Sequence, residues 1–148
     1  MASPKLDRLL TAARITLGVI FTYAAFLKVS MSWLTFAASI DAYQILPDWS
    51  VTPLAQLLPW FELALGVLLV SGFAVRWIAP VVTLLLAGFF SAMVHAHMKG
   101  LDIDCGCFGP GEKIGSNTFL RDGTLVALAL AVTVGSFLRG SPARHRLQ

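Results

Sequence analysis

An all-α membrane bundle of four helices is the fold class this sequence predicts, and three observations carry it. Hydrophobic residues make up 57% of the 148 residues and charged residues only 13%, against roughly 25% charged in an ordinary soluble domain. A chain of this length cannot bury so much apolar surface in a water-soluble core, so lipid is the expected solvent. The apolar residues also fall in four runs of roughly 20 residues, and a helix rising ~1.5 Å per residue then crosses the ~30 Å hydrocarbon layer. The net charge of +3 does not point to nucleic acid, because the cations sit at the ends of the apolar runs.

The first span is expected over 9–29. Its "RITLGVIFTYAAFLK" has the charged-then-apolar order of a signal peptide, but no small-x-small cleavage site follows, so it is read as a retained helix. Next comes "SWLTFAASIDAYQILPDW", where Trp33, Phe36, Ala37, Ile40 and Tyr43 recur at helical spacing and Pro47 closes the segment. That pattern predicts an amphipathic helix at the outer interface in the first outer loop, with Trp33 and Trp49 near headgroup level. Continuation of the first span is the alternative.

The second and third spans are expected over 53–73 and 77–98. Pro53 and Pro80 fall near their starts, where a missing N–H costs little, and Pro59 is placed to kink the second. "SGFAVRW" between them is a short inner turn. The fourth span covers 119–138, and 139–148 reads as a basic cytoplasmic tail near anionic lipid. With no internal repeat, the chain is read as a single four-helix transmembrane domain.

Orientation follows from counting cations by side. Lys5, Arg8, Arg14, Arg76, Arg139, Arg144 and Arg146 fall on one side, and Lys28, Lys99, Lys113 and Arg121 on the other. This bias predicts cytoplasmic termini and a multi-pass protein of the cell's inner membrane. The loop "LDIDCGCFGPGEKIGSNTFLRDG" then faces outward, where disulfide chemistry persists.

That loop holds Cys105 and Cys107, the only two cysteines of the chain. A bond between residues i and i+2 needs a folded turn, and Gly106 permits one. So short a closed loop stabilises little as a staple, whereas a strained, exposed bond is easily reduced, which suits a redox pair. Two thiols never bonded to each other remain an alternative, and so does metal. His95 and His97 end the third span just before the cysteines, and two His with two Cys could form a tetrahedral zinc or a copper site. Residues i and i+2 of a helix project about 200° apart, which argues against both imidazoles facing one ion; one of the two is expected to face inward. Asp102 and Asp104 flank Cys105, which predicts the higher pKa for Cys105 and makes Cys107, with Arg121 or Lys113 folded over it, the attacking sulfur.

Buried charge is the other anomaly. Glu62 lies roughly 13 Å below the outer end of the second span, and ionisable groups at such depth usually face the bundle interior and are paired. Lys28, near the outer end of the first span, is the expected partner, either as a structural ion pair or as part of a working site. Arg121 and Asp122 open the fourth span on the same side. The unusual polar groups thus converge on the outer half of one bundle.

With "LDIDCGCFG" followed by "FLRDG", and with "GVIFTYAAFLK", "YQILP" and "PWFELALGVLL" earlier, the chain resembles the MauE family of methylamine-utilisation proteins and the related DoxX-like membrane proteins. The resemblance covers roughly 15–138. It implies a four-helix membrane protein associated with thiol–disulfide redox, which in the methylamine setting serves maturation of a disulfide-rich periplasmic dehydrogenase subunit. It carries the family's cysteines onto Cys105 and Cys107, and its polar helix positions onto Lys28, Glu62, Arg121 and Asp122. The bundle is similar too to vitamin K epoxide reductases, but those use Cys-x-x-Cys and further cysteines, so a complete thiol-to-quinone relay within this chain is not expected.

The function expected is thiol–disulfide exchange through an outward Cys-Gly-Cys pair, with a thioredoxin-like or disulfide-containing extracytoplasmic partner. The alternative is a non-enzymatic subunit that binds metal through His95, His97, Cys105 and Cys107 or assembles a larger membrane complex. No cofactor is required by this reading; a quinone or a metal stays open.

Overall fold

The structure, a computed structural model, describes residues 4–139, so most of the basic tail read over 139–148 lies outside the described residues. Its helices are α1 (Pro4–Ser30), α2 (Trp33–Asp41), α3 (Asp48–Ser71), α4 (Val75–Met98) and α5 (Ser116–Arg139). Four of them, α1, α3, α4 and α5, are long and apolar enough to cross a membrane. The protein is an all-α, multi-pass membrane protein.

Each span begins earlier than expected, α1 and α3 by five residues and α4 and α5 by two and three. Helix α3 starts at Asp48 with Pro47 as its N-cap, so Pro53 lies inside the helix with Pro59 rather than at its start; Pro80 likewise lies inside α4. Each interior proline leaves a carbonyl four residues back without its helical N–H. Helix α2 is the short helix expected between the first two spans, begun by Ser32, whose hydroxyl accepts from the Leu34 N–H. It ends at Asp41, before Tyr43, and only Phe36 of it is buried.

The spans pair as α1 on α3 and α4 on α5, with α2 lying on α3. The α1–α3 crossing depends on two small residues. A Cβ at Gly18 would sit 2.8 Å from Val70 Cγ2, and one at Gly66 would sit 2.8 Å from the Thr22 backbone nitrogen. Without side chains there, the two backbones approach closely, as membrane helices do when packing rather than water exclusion drives them together.

One cluster fills the centre: Leu17, Phe21, Leu65, Leu69, Ala79, Val82, Leu125, Ala129 and Val132. Large apolar residues such as Val19, Phe26, Leu57, Leu84, Leu130 and Val134 instead face outward along the spans. In water such a surface would be a liability; in a bilayer it is the expected lipid-facing coat. A second, smaller cluster of Phe36, Ala55 and Leu58 joins α2 to α3 at the end of the bundle that carries the cysteine loop. It forms the floor on which the polar groups assemble.

Candidate functional site

Lys28 and Glu62 meet where α1 and α3 cross, in the half of the bundle next to the cysteine loop. The Lys28 ammonium donates to both carboxylate oxygens, at 2.8 and 2.7 Å, and the two residues are 4% and 2% exposed. Burying a charge is tolerable when it is both paired and hydrogen-bonded, and this pair is both. The Phe36 and Phe89 rings lie 5.5 and 5.2 Å from the same ammonium, bringing α2 and α4 to it.

The cysteine loop is folded by short-range pairing. Asp104 and Lys113 form an antiparallel bridge, the Cys105 N–H donates to the Glu112 carbonyl at 2.8 Å, and the Ile114 N–H donates to Ile103 at 3.2 Å. Gly106 has φ of +69°, the left-handed conformation a tight Cys-Gly-Cys turn needs. The turn presses on α2, since a Cβ at Gly106 would sit 3.3 Å from Ser39 Cβ. Tyr43, just beyond α2, donates its hydroxyl to the Cys105 carbonyl at 2.6 Å. Burial, then the nearby thiols, raises the Tyr43 phenol well above its usual range, so it stays a donor.

Both thiols are free. Cys105 Sγ receives the Cys107 N–H at 3.3 Å and the Arg121 guanidinium at 3.7 Å, with Glu112 Oε2 also at 3.7 Å. Arg121 is itself held on several sides. It donates to Asp122 at 2.9 and 3.3 Å and to Glu112 Oε1, and stacks 4.4 Å over Phe108. Cys107 Sγ instead lies 3.7 Å from the Cys105 carbonyl. It also lines a cavity of about 30 Å³ shared with Lys28, Glu62 and Asp122.

These contacts reverse the expected order of the thiol pKa values. The Cys107 thiol, the Cys107 amide and Arg121 together hold Cys105 down at about 7, against the opposing pull of burial and Glu112. Cys107 is pushed well above the ordinary thiol value by its hydrogen bond to Cys105, then by burial and the negative charge around it. The reason the sequence misleads is that the flanking acids turn away. Asp104 takes the Gly111 N–H at 2.9 Å, and Asp102 pairs with Lys113 at 2.6 Å on the exposed surface. Lys113 therefore does not fold over Cys107, and Arg121 reaches Cys105 instead.

The histidines also depart from expectation. Ala96 is the buried residue at the end of α4, and its neighbours His95 and His97 are both exposed. Neither faces inward, because successive helical residues turn by about 100° and Ala96 takes the inward direction. His97 packs edge-on against Phe119, with centroids 5.2 Å apart. Among the described residues, the group that could hold a metal is Cys105, Cys107 and Asp122, whose ligand atoms lie within 4.8 Å of one another. The four-residue His/Cys set is not assembled.

The structure thus brings Lys28, Glu62, Cys105, Cys107, Arg121 and Asp122 together and leaves His95 and His97 outside. It adds Tyr43 and Glu112, which the sequence did not single out. Glu112 carries a faint signal as an acid in a charge-poor chain close to the cysteines, while Tyr43 was absorbed into an apolar helical stripe.

A family model described as "Methylamine utilisation protein MauE" matches residues 6–135. The methylamine utilization protein MauE of Paracoccus denitrificans is 35% identical over 130 residues, covering 85% of this chain and 69% of that protein. Its namesake from Methylophilus methylotrophus is 32% identical over 101 residues, covering 66% of this chain and 53% of that protein. No solved structure matches the chain. The family match runs from α1 into the last turns of α5 and so includes every residue of the polar cluster: the chain belongs to the MauE family.

Proposed function

We propose that Cys105 and Cys107 carry out thiol–disulfide exchange with a thioredoxin-like or disulfide-containing protein outside the cytoplasm. The exchange would support maturation of, or electron supply to, that partner. The observation that carries this reading is the convergence of an amide N–H and a guanidinium on Cys105 Sγ, which stabilises a thiolate at near-neutral pH. Methylamine utilisation, the process named for the relatives, is the setting proposed. The termini are placed in the cytoplasm and the cysteine loop outside the inner membrane, on the charge bias of the loops.

In the exchange, the Cys105 thiolate attacks one sulfur of a partner disulfide, and the other partner sulfur leaves as a thiolate. Cys107 then gives up its proton and attacks Cys105 Sγ, releasing the second partner sulfur. The pair ends oxidised and the partner reduced by two electrons; the reverse path oxidises a partner dithiol. Cys107 is the resolving sulfur because it faces the interior and holds its proton more tightly.

Single replacements test this. With Cys107→Ser, Cys105 should accumulate a mixed disulfide that non-reducing electrophoresis detects; with Cys105→Ser, little should form. No adduct in either case would refute exchange. A metal-holding role is the second reading, favoured by the ligand spacing of Cys105, Cys107 and Asp122. Metal analysis of the purified protein separates it from the first.

A further inference from the structure

We infer that the outer half of the bundle holds a binding site for a lipid-soluble quinone, the two-electron acceptor that reoxidises Cys105 and Cys107. This rests on the exchange reading above and assigns it a direction, from partner dithiol to membrane.

A cavity of about 250 Å³ lies between α2, α3, α4 and the cysteine turn, with Phe36, Leu58, Phe89, Cys105 and Cys107 among its walls. The walls are apolar and aromatic except at a few points, the usual composition of a site for a flat hydrophobic ring. Lys28 supplies one of those points. Two of its three N–H groups are directed to Glu62, and its ammonium lies between the Phe36 and Phe89 rings. The third is available to a ring carbonyl.

Gly88 marks the mouth. It lines the cavity, lies in the interior of α4 and is exposed. Its backbone is not in the left-handed region, and a Cβ there would meet nothing within 4 Å. Neither conformation nor packing therefore demands glycine, although glycine weakens a helix. Ten residues separate it from Met98 at the outer end of α4, or about 15 Å along the axis, which places the opening at hydrocarbon depth. The missing side chain keeps open a path from the lipid to the thiols.

Electron balance gives the cavity its occupant. With only two cysteines in the chain, no relay through a second pair is available, so electrons taken from a partner dithiol leave Cys105 and Cys107 only for an acceptor that meets the pair itself. A quinone in the cavity accepts them directly. The Cys105–Cys107 bond forms as two electrons pass to the ring, and the two ring oxygens take two protons. One comes from Cys107; the other comes from Cys105 or, when Cys105 is already a thiolate, from water at the outer face. The products are one disulfide and one hydroquinone. A lipid acyl chain or an apolar side chain of a partner would fill the same space but accept no electrons.

The experiment mixes the reduced protein in lipid nanodiscs, without oxygen, with decylubiquinone, and follows thiol loss and quinone absorbance. One quinone reduced per thiol pair is expected. Gly88→Leu, and independently Ala92→Leu on the same wall, should slow that reaction at least tenfold. Oxidation by glutathione disulfide, measured in each variant, reports on the thiols themselves. If the parent reacts with the aqueous disulfide but not with the quinone, or if both folded variants react with quinone at the parental rate, the inference is overturned. Failure with both oxidants takes down the exchange reading and this inference with it. Should neither variant fold, an azido-quinone photolabel decides on the parent protein: labelling at Lys28 or within 36–46, 54–58, 88–92 or 105–107 supports the site, and labelling elsewhere overturns it.

Discussion

The end of the bundle that carries the cysteine loop, the outer end in the proposed orientation, and the opposite, inner end both carry arginine or lysine, yet they hold these charges in different ways. At the inner end Arg14 donates to the Leu69 carbonyl at 2.6 Å, adding to the Gly72 N–H that the same carbonyl accepts at 3.3 Å where α3 ends. Arg139 pairs with Asp7 at 3.0 Å across α5 and α1, with side chains 35% and 50% exposed. At the outer end the Lys28 and Glu62 side chains are only 4% and 3% exposed. Arg121 reaches Cys105 Sγ, and Asp122 lines the smaller cavity with Cys107. Charge at the inner end ties helix ends together where water can replace any lost partner. At Lys28 and Glu62 a lost partner leaves a charge with nowhere to go. Buried, mutually dependent charge is what distinguishes the candidate site from ordinary helix anchoring.

The largest expected effect breaks that contrast directly. Replacing Glu62 with Gln leaves the Lys28 ammonium buried without its counter-ion, a change that costs about 3–5 kcal/mol when one partner of a buried pair is removed. Thermal unfolding in detergent should show it as a large fall in Tm. The double change Lys28→Met with Glu62→Leu should recover most of the loss, since apolar residues of similar volume replace such pairs nearly neutrally. A Glu62→Gln variant as stable as the parent would mean the pair is not buried as described.

The thiol order comes next. Cys105 is held at about 7 first by its hydrogen bond from Cys107. Cys107→Ala should therefore raise the Cys105 pKa and slow its alkylation by iodoacetamide at pH 7 by roughly tenfold, because only the thiolate reacts. Arg121→Gln should act in the same direction but more weakly. In the parent, the rate should climb through about pH 7 and level off above it, as the thiol of Cys105 is converted to thiolate. A climb centred near the ordinary thiol value would return the attacking role to Cys107.

Smaller still is the loss from Tyr43→Phe. It removes the hydroxyl that holds the Cys105 carbonyl at 2.6 Å, worth about 1 kcal/mol as a net hydrogen bond. Its signature is local: hydrogen exchange at the cysteine turn should speed up while the helix cores keep their protection. Asp7→Asn at the inner end should change stability least, by about 0–1 kcal/mol, as for most exposed ion pairs. Measured beside Glu62→Gln, it sets the two ends of the bundle on one scale.

Much of this arrangement was legible because it follows from one-dimensional constraints. Four apolar runs of bilayer length can form little but spanning helices, since unsatisfied backbone groups are intolerable in hydrocarbon. The pairing of Lys28 with Glu62 was legible for a related reason: two rare charges of opposite sign on successive spans, one near a helix end on a long flexible stem and the other deeper, have few other partners. The start of α3 was harder. Pro53 suggested a helix start, yet Pro47 provides the N-cap, and the helix runs on through both interior prolines, which spanning helices tolerate where neighbouring groups re-satisfy the freed carbonyls.

By itself, then, the sequence determined the number of spans, the outer short helix, the polar layer and the presence of a Cys-Gly-Cys turn. Each of these depends on composition, spacing or depth, which the chain carries locally. Tertiary structure alone decided which sulfur is the better thiolate, that Tyr43 and Glu112 belong to the site, and that both histidines lie outside it. Those outcomes turn on a few ångströms and on the direction of single side chains. Asp102 and Asp104 are closest to Cys105 along the chain but face Lys113 and the Gly111 amide. Arg121, sixteen residues away, is the residue whose charge reaches the sulfur. Electrostatic influence follows distance in space, and a folded loop sets that distance independently of order in the chain.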